Sequence, residues 1–343
     1  MSLAELGWNE HFARALAGRE ADGLAPARIT AREKERWLAH DGTAELTCAL
    51  AGRLRREAEQ SGGFPAAGDW VAVRPLDRAR AAIHELLPRR TRLSRKVPGA
   101  WTEEQVIAAN IDTVFIVAGL DRDFNPRRVE RYVTAARAGG AAPVIVLNKT
   151  DLCPDPAAAA DGLGALAAGI AVHPVSALAD TGLDALRPYA RAGETVAFVG
   201  SSGVGKSSLI NRLLGVERQA TGEISRAVGK GRHITTRREL IPIPGGGLLV
   251  DTPGLRELQL WGGGDDLEAA FEDIEALARR CRFRDCRHED EPGCAVRAAV
   301  EAGELELERL RNYEKLRREL KFLARRQTWS KMKKHTPRPP GPG

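Results

Sequence analysis

The chain has 343 residues, with 52 Lys+Arg against 46 Asp+Glu for a formal net charge of +6, 43% apolar and 5% aromatic residues. That length exceeds one small domain, and 35 Gly with 19 Pro fall short of the roughly 25–30% that marks low-complexity disorder, so two or three folded units are expected. The longest strongly apolar stretch, residues 113–120, is closed by Asp112 and Asp121, far below the ~20 residues that span a bilayer, and the opening MSLAELGWNE lacks a basic segment before an apolar core. A soluble, cytoplasmic protein without a membrane partner is the expectation.

Residues 5–17 predict a short helix in an N-terminal extension. From 41 to 92 the pattern is that of short strands: TAELTCALAG alternates apolar and polar, and GDWVAVRPL opens with a turn before Trp70, Val71 and Val73. A small β-barrel fits, and the oligonucleotide-binding (OB) fold is one such barrel. Residues 86–101 carry Arg89, Arg90, Arg92, Arg95 and Lys96 without an acid, and 325–338 hold six more basic residues without one. Such patches point to a polyanionic partner, nucleic acid rather than membrane; a solvated linker and tail is the plainer alternative. From Ile111 onward, apolar runs (114–118, 144–147, 170–175, 196–199, 248–250) alternate with helical stretches such as 127–138 and 206–214, the signature of a parallel sheet covered on both faces. After Gly254 the strands stop. Helices are predicted at 266–280, 295–301 and 305–324, the last burying Leu310, Tyr313, Leu316, Leu320 and Leu323 at three- or four-residue spacing.

Gly200, Ser201, Ser202, Gly203, Val204, Gly205, Lys206, Ser207 and Ser208 satisfy GxxxxGK[ST] between a strand and a helix. Glycines let backbone N–H groups surround phosphates, Lys206 supplies a charge to the β/γ oxygens, and the Ser207 hydroxyl is a magnesium ligand. This loop alone does not separate ATP from GTP. Asn148, Lys149, Thr150 and Asp151 follow the strand PVIVL, where ligands bind in open α/β sheets. The Asp151 carboxylate can accept from guanine N1–H and N2–H₂, a donor pair that adenine lacks. Asn148 can hold the loop and the base edge, the Lys149 stem lies along the ring, and Ser176 and Ala177 supply backbone donors for guanine O6.

Asp251, at the end of a further strand, takes the position of a magnesium-facing carboxylate, and Gly254 that of an N–H donor to the γ-phosphate. Between the two phosphate motifs, residues 229–238 contain His233, Thr235 and Thr236. One of the threonines could complete the magnesium shell; a surface loop is the alternative reading. In an ordinary GTPase the phosphate loop precedes NKxD. Here NKTD and the Ser-Ala element come first and DTPG last, so the chain reads as a circularly permuted GTPase. In Ras-like enzymes a glutamine after DxxG orients the attacking water, but here that position is Leu255, which leaves His233 as the nearest polar candidate for catalysis. Cys281, Cys286, His288 and Cys294 suit a closed tetrahedral structural zinc site, and Cys48 and Cys153 read as ordinary small apolar residues.

The barrel, the permuted NKTD, GSSGVGKSS and DTPG motifs and the Cys-Cys-His-Cys element together resemble the RsgA (YjeQ) family of small-ribosomal-subunit-dependent GTPases. The resemblance implies a multidomain α/β protein: an N-terminal extension (1–40), an OB-like β-barrel (41–96), a circularly permuted P-loop GTPase domain (97–262), a helical zinc-binding domain (263–326) and a basic disordered tail (327–343). It implies a monomer that uses GTP/GDP with Mg2+ and one structural Zn2+, binds the small ribosomal subunit and its rRNA in late maturation, and leaves after hydrolysis. In the family a threonine often follows the loop histidine directly. Ile234 stands there in this chain, so the residues leave Thr235 and Thr236 both as candidate magnesium ligands. A P-loop ATPase or kinase, and an RNA-binding nucleotide switch with little turnover, are the rival readings.

Overall fold

The computed structural model describes residues 1–33, 35–96, 104–121, 124–215, 239–251, 271–283, 285–289, 291–307, 309–311, 313–314 and 317–318. The chain folds as two compact units, one of Met1–Arg95 and Gln105–Gln259, the other of Lys96–Glu104 and Leu260–Gly343.

The first unit opens with α1 (Glu10–Leu16), started by the Asn9 side chain accepting from the His11 amide. It is shorter than the predicted 5–17 because residues before Asn9 close turns instead, with the Leu6 amide bonded to Ser2 O and Trp8 to Leu3 O. Strands β1 (Ala25–Glu33), β2 (Arg36–His40), β3 (Glu45–Leu50), β4 (Trp70–Pro75) and β5 (Arg80–Leu86) follow, with α2 (Gly52–Ser61) between β3 and β4. Their order is β1-β2-β3-β5-β4, and β4 pairs back on β1, so the sheet closes into a five-stranded barrel. Ile29, Trp37, Leu46, Val71 and Ile83 fill it. The barrel therefore starts at Ala25, sixteen residues before the expected boundary at 41. Pro26 and Arg28 break the alternation of β1 in sequence, and Arg28 is buried there all the same.

Arg28 is only 1% exposed. Its guanidinium donates to Gly68 O (3.1 Å), Asn110 O (2.9 Å) and Leu6 O, and lies 5.7 Å from the Trp70 ring centroid. Three stretches of chain thus share one cation. Burial lowers its pKa to about 10, against the opposing fields of Asp112 and Asp69, so it stays charged at neutral pH.

The described part of the basic stretch 86–101 is structured. Strand β6 (Arg92–Lys96) pairs with β7 (Glu104–Ala109). Arg89 makes a two-pronged contact to buried Asp69, at 2.7 Å on each oxygen, and Arg90 reaches Asp112 at 3.4 Å. Two of the five patch residues are thus neutralised by acids distant in sequence, a pairing invisible in a local charge count.

Six strands make the second part of this unit: β8 (Thr113–Gly119), β9 (Ala142–Asn148), β10 (Val172–Pro174), β11 (Thr195–Val199), β12 (Glu239–Pro242) and β13 (Leu248–Asp251). Their order is β10-β9-β8-β11-β13-β12, parallel except for β12. Alternate residues of β8 serve opposite faces. Val114 and Ile116 pack with Val129 and Val133 of α3 (Pro126–Ala138), whereas Phe115 and Val117 join the cluster of Leu209, Ile210 and Leu213. A short helix, α4 (Pro156–Asp161), lies between β9 and β10, and the helix after β11 is α5 (Lys206–Leu214), as predicted. Strand β12, which was not predicted, continues the sheet into the barrel through the pair Glu239 and Ala31.

In the second unit, α6 (Glu272–Ala278) and α7 (Ala295–Glu301) pack around Phe271, Ile274, Val296, Leu310 and Tyr313. Tyr313 donates to Glu275 Oε1 (2.6 Å), and Arg309 binds both oxygens of Asp273 at 2.7 Å. Leu316, Leu320 and Leu323, the basic stretch 325–338 and the tail lie outside the described residues.

Candidate nucleotide site and metal centre

Strand β11 is central in its sheet, and the loop from Gly200 to Gly205 leaves its C-terminal end to enter α5. Gly200 has φ of 143° and Gly205 of 95°. A Cβ on Gly200 would lie 2.3 Å from Val117 O, and one on Gly205 2.1 Å from Asn148 Nδ2, so both glycines are needed for close approach as well as for φ. The loop delivers its amides to the start of α5, an arrangement that binds phosphate. Lys206 Nζ lies over it, donating to Gly200 O (2.8 Å) and Ser201 O.

Strand β9 ends on Asn148, and Lys149 turns through left-handed backbone at φ 68°. Asn148 is 2% exposed; its Nδ2 donates to Val204 O (2.8 Å) and its Oδ1 accepts from the Ala177 amide (3.0 Å). Both side-chain atoms are committed to backbone, so Asn148 ties the phosphate loop to the Ser-Ala loop. The Ser176 hydroxyl donates to Asp151 Oδ1 and accepts from the Ala179 amide at 3.0 Å. Lys149 Nζ pairs with Asp121 Oδ2 at 2.6 Å. The structure thus brings Asn148, Lys149, Asp151, Ser176, Ala177 and the loop residues 200–208 together. Asp251 closes β13, half-buried, two strands from β8. His233, Thr235, Thr236, Gly254 and Leu255 lie outside the described residues.

Three supporting residues escaped the sequence reading. Arg128, in the first turn of α3, donates to Ser201 Oγ at 2.7 Å, and the buried Tyr132 one turn later also hydrogen-bonds Ser201. Arg212 Nε, on α5, donates to Ala177 O at 3.2 Å and lies 3.8 Å from Asp180. The i, i+4 spacing of Arg128 and Tyr132 marks one helix face, but nothing local says which loop that face meets.

In the second unit the ligand atoms of Cys281, Cys286, His288 and Cys294 lie within 4.8 Å of one another. Cys281 Sγ is 3.9 Å from Cys294 Sγ, and His288 Nδ1 is 3.7 and 3.5 Å from those sulfurs. A tetrahedral zinc with bonds of ~2.3 Å to sulfur and ~2.0–2.1 Å to nitrogen has S···S edges of about 3.8 Å and S···N edges of about 3.6 Å. The four donors therefore fit zinc in kind and number, and Cys281, His288 and Cys294 fit it in spacing. His288 adopts φ of 65° to turn its ring inward. Cys48 is buried in the barrel and Cys153 packs beside the sheet core.

A central phosphate-loop strand reached only after the strand bearing NKTD, with β13 and its Asp251 last, defines a circularly permuted P-loop GTPase fold with an N-terminal barrel. The profile of the RsgA GTPase family matches residues 86–261. Curated relatives agree: the small ribosomal subunit biogenesis GTPase RsgA of Opitutus terrae is 49% identical, over 95% of this chain and 92% of its own, and that of Syntrophotalea carbinolica is 44% identical over 93% and 90%. Among solved structures, YjeQ from Thermotoga maritima superposes with a TM-score of 0.64 at 26% identity, covering 87% of this chain and 98% of its own. YloQ, described as a circularly permuted GTPase, shares the fold at 0.60 and 24%, over 92% and 97%. The chain belongs to the RsgA GTPase family.

Proposed function

We propose that this protein binds GTP with magnesium, hydrolyses it, and acts in the maturation of the small ribosomal subunit, contacting its rRNA. The observation that carries the guanine half is the Asn148 tie, which fixes the phosphate loop and the Asp151 and Ser176 pair as one rigid recognition surface; the ribosomal half rests on family membership. Asp151 reads the guanine donor pair, and Ser176 preorganises its carboxylate. Lys206 and the loop amides take the β and γ oxygens. Ser207 and Asp251, with Thr235 or Thr236, would hold magnesium, which would neutralise charge on the β- and γ-phosphates. His233 orients the attacking water in place of the glutamine whose position Leu255 occupies, and the four Cys/His residues would hold one structural zinc.

The test is GTP turnover by the full chain with and without purified small subunits. Slow turnover that rises at least ten-fold with subunits supports the reading; an unchanged rate overturns it and favours the switch with little turnover. Competition by ATP as strong as by GTP overturns the guanine assignment.

A further inference from the structure

The segment that carries the zinc ligands also carries a group the metal does not use. Phe283, between Cys281 and Cys286, is 41% exposed, one of few large apolar side chains on the described surface. Two of the candidate zinc ligands flank it in sequence, and its carbonyl accepts from the Cys286 amide at 3.3 Å. The Arg282 guanidinium lies over its ring at 5.6 Å from the centroid. Arg279, Arg280, Arg282 and Arg287 are all exposed, and among the described residues none of the four has a carboxylate partner. Of the acids nearby, Asp273 pairs with Arg309, Glu275 accepts from Tyr313 and Glu291 accepts from the amides of Arg287 and Glu289, while Asp285 and Glu289 are exposed in the same segment, so among the described residues four arginines stand against two acids there.

We propose that Phe283 is a stacking platform for one unpaired base of single-stranded RNA, with Arg282 covering the same base or its neighbour and Arg279, Arg280 and Arg287 taking the flanking phosphates. An exposed aromatic ring with one guanidinium over it and three further exposed arginines in the same segment, none with a carboxylate partner among the described residues, matches an unstacked nucleotide in shape and in charge. A duplex offers phosphates to the arginines but no free base face to the ring. An acidic protein segment would use the arginines and leave the ring without a role. The assignment deepens the proposed rRNA contact and rests on that reading for its biological partner, though not for the chemistry.

The test uses the full chain with a labelled twelve-nucleotide oligouridine, a duplex of equal length, and an oligomer bearing 5-bromouridine for photo-crosslinking. Phe283→Leu should bind the single strand about ten-fold more weakly, a typical loss for one stacked base, and bind the duplex as before; Phe283→Trp should restore the single strand, with one zinc retained in each variant. The crosslink should map to the peptide containing Phe283. Equal single-strand binding by Phe283→Leu, an equal loss on the duplex, or a crosslink elsewhere overturns the proposal. If subunits fail to stimulate turnover while these differences persist, the ribosomal reading falls and the stacking site stands.

Discussion

At the scale of single residues, the proposed site divides into groups expected to touch the nucleotide and groups that hold them. Asp151 is of the first kind. Asp151→Asn replaces an acceptor with a donor facing guanine N–H, so GTP affinity should drop about 100-fold with ATP binding unchanged; nucleotide titration reads this directly, and an unaltered GTP-to-ATP ratio would remove Asp151 as the base reader. Arg128 is of the second kind. Its charge-assisted bond to Ser201 Oγ restrains the second residue of the phosphate loop. Arg128→Met should lower subunit-stimulated kcat about ten-fold with GDP affinity kept, and Ser201→Ala should reproduce most of that loss without adding to it in the double variant. Additive losses would show that the two residues act separately.

At the scale of elements, legibility followed how local the determining physics is. α5 and α7 were read to the residue because a glycine loop or a cysteine N-cap and an apolar face set their ends. NKTD and the Cys/His set were readable as candidate chemistry because it lies in the residue types themselves and their short spacing. β1 and β12 were not readable: the first hides a buried arginine whose acceptors come from 22, 40 and 82 residues away, and the second is a strand of only four residues that bridges β13 to the distant β1. Likewise, Asp69 and Asp112, which neutralise Arg89 and Arg90, are remote in sequence. The Asp273 and Arg309 pair yields an element-scale prediction. Burial alone would raise the Asp273 carboxyl, but hydrogen bonds and charge from Arg309 outweigh it and hold the carboxyl below its ordinary value. The folded pKa is thus the lower one, so the pair stabilises the helix packing above the ordinary carboxylate range and loses that contribution as pH falls through it to the folded value. Denaturation of Arg309→Gln should differ from the parent at pH 7, and the gap should close below about pH 4. A gap independent of pH would assign the effect to lost packing of Arg309 over Phe271.

At the scale of the whole chain, barrel and nucleotide-binding sheet are one compact unit rather than two beads. Arg28 lies among three carbonyls of different segments, so Arg28→Met should leave those acceptors buried and unpaired at a cost of about 3 kcal/mol or more. Calorimetry should then show the barrel and the sheet unfolding together at a midpoint lowered by several degrees. A barrel that melts separately, with the sheet transition unmoved, would refute the single unit.

The joining of β12 to β1 has a further consequence, for what the sheet is protected from. Open sheets end in rows of unpaired N–H and C=O groups that invite a second chain. Here β12 runs on into a sheet that curls round and closes on itself, so among the described residues the eleven strands leave short β10, of three residues, as the free margin of the nucleotide-binding sheet. The barrel should therefore shield the β12 edge from a second chain, whatever else it binds. A shortened chain beginning at residue 97 should bare β12 and form concentration-dependent oligomers in light scattering, whereas the full chain at the same concentration should not.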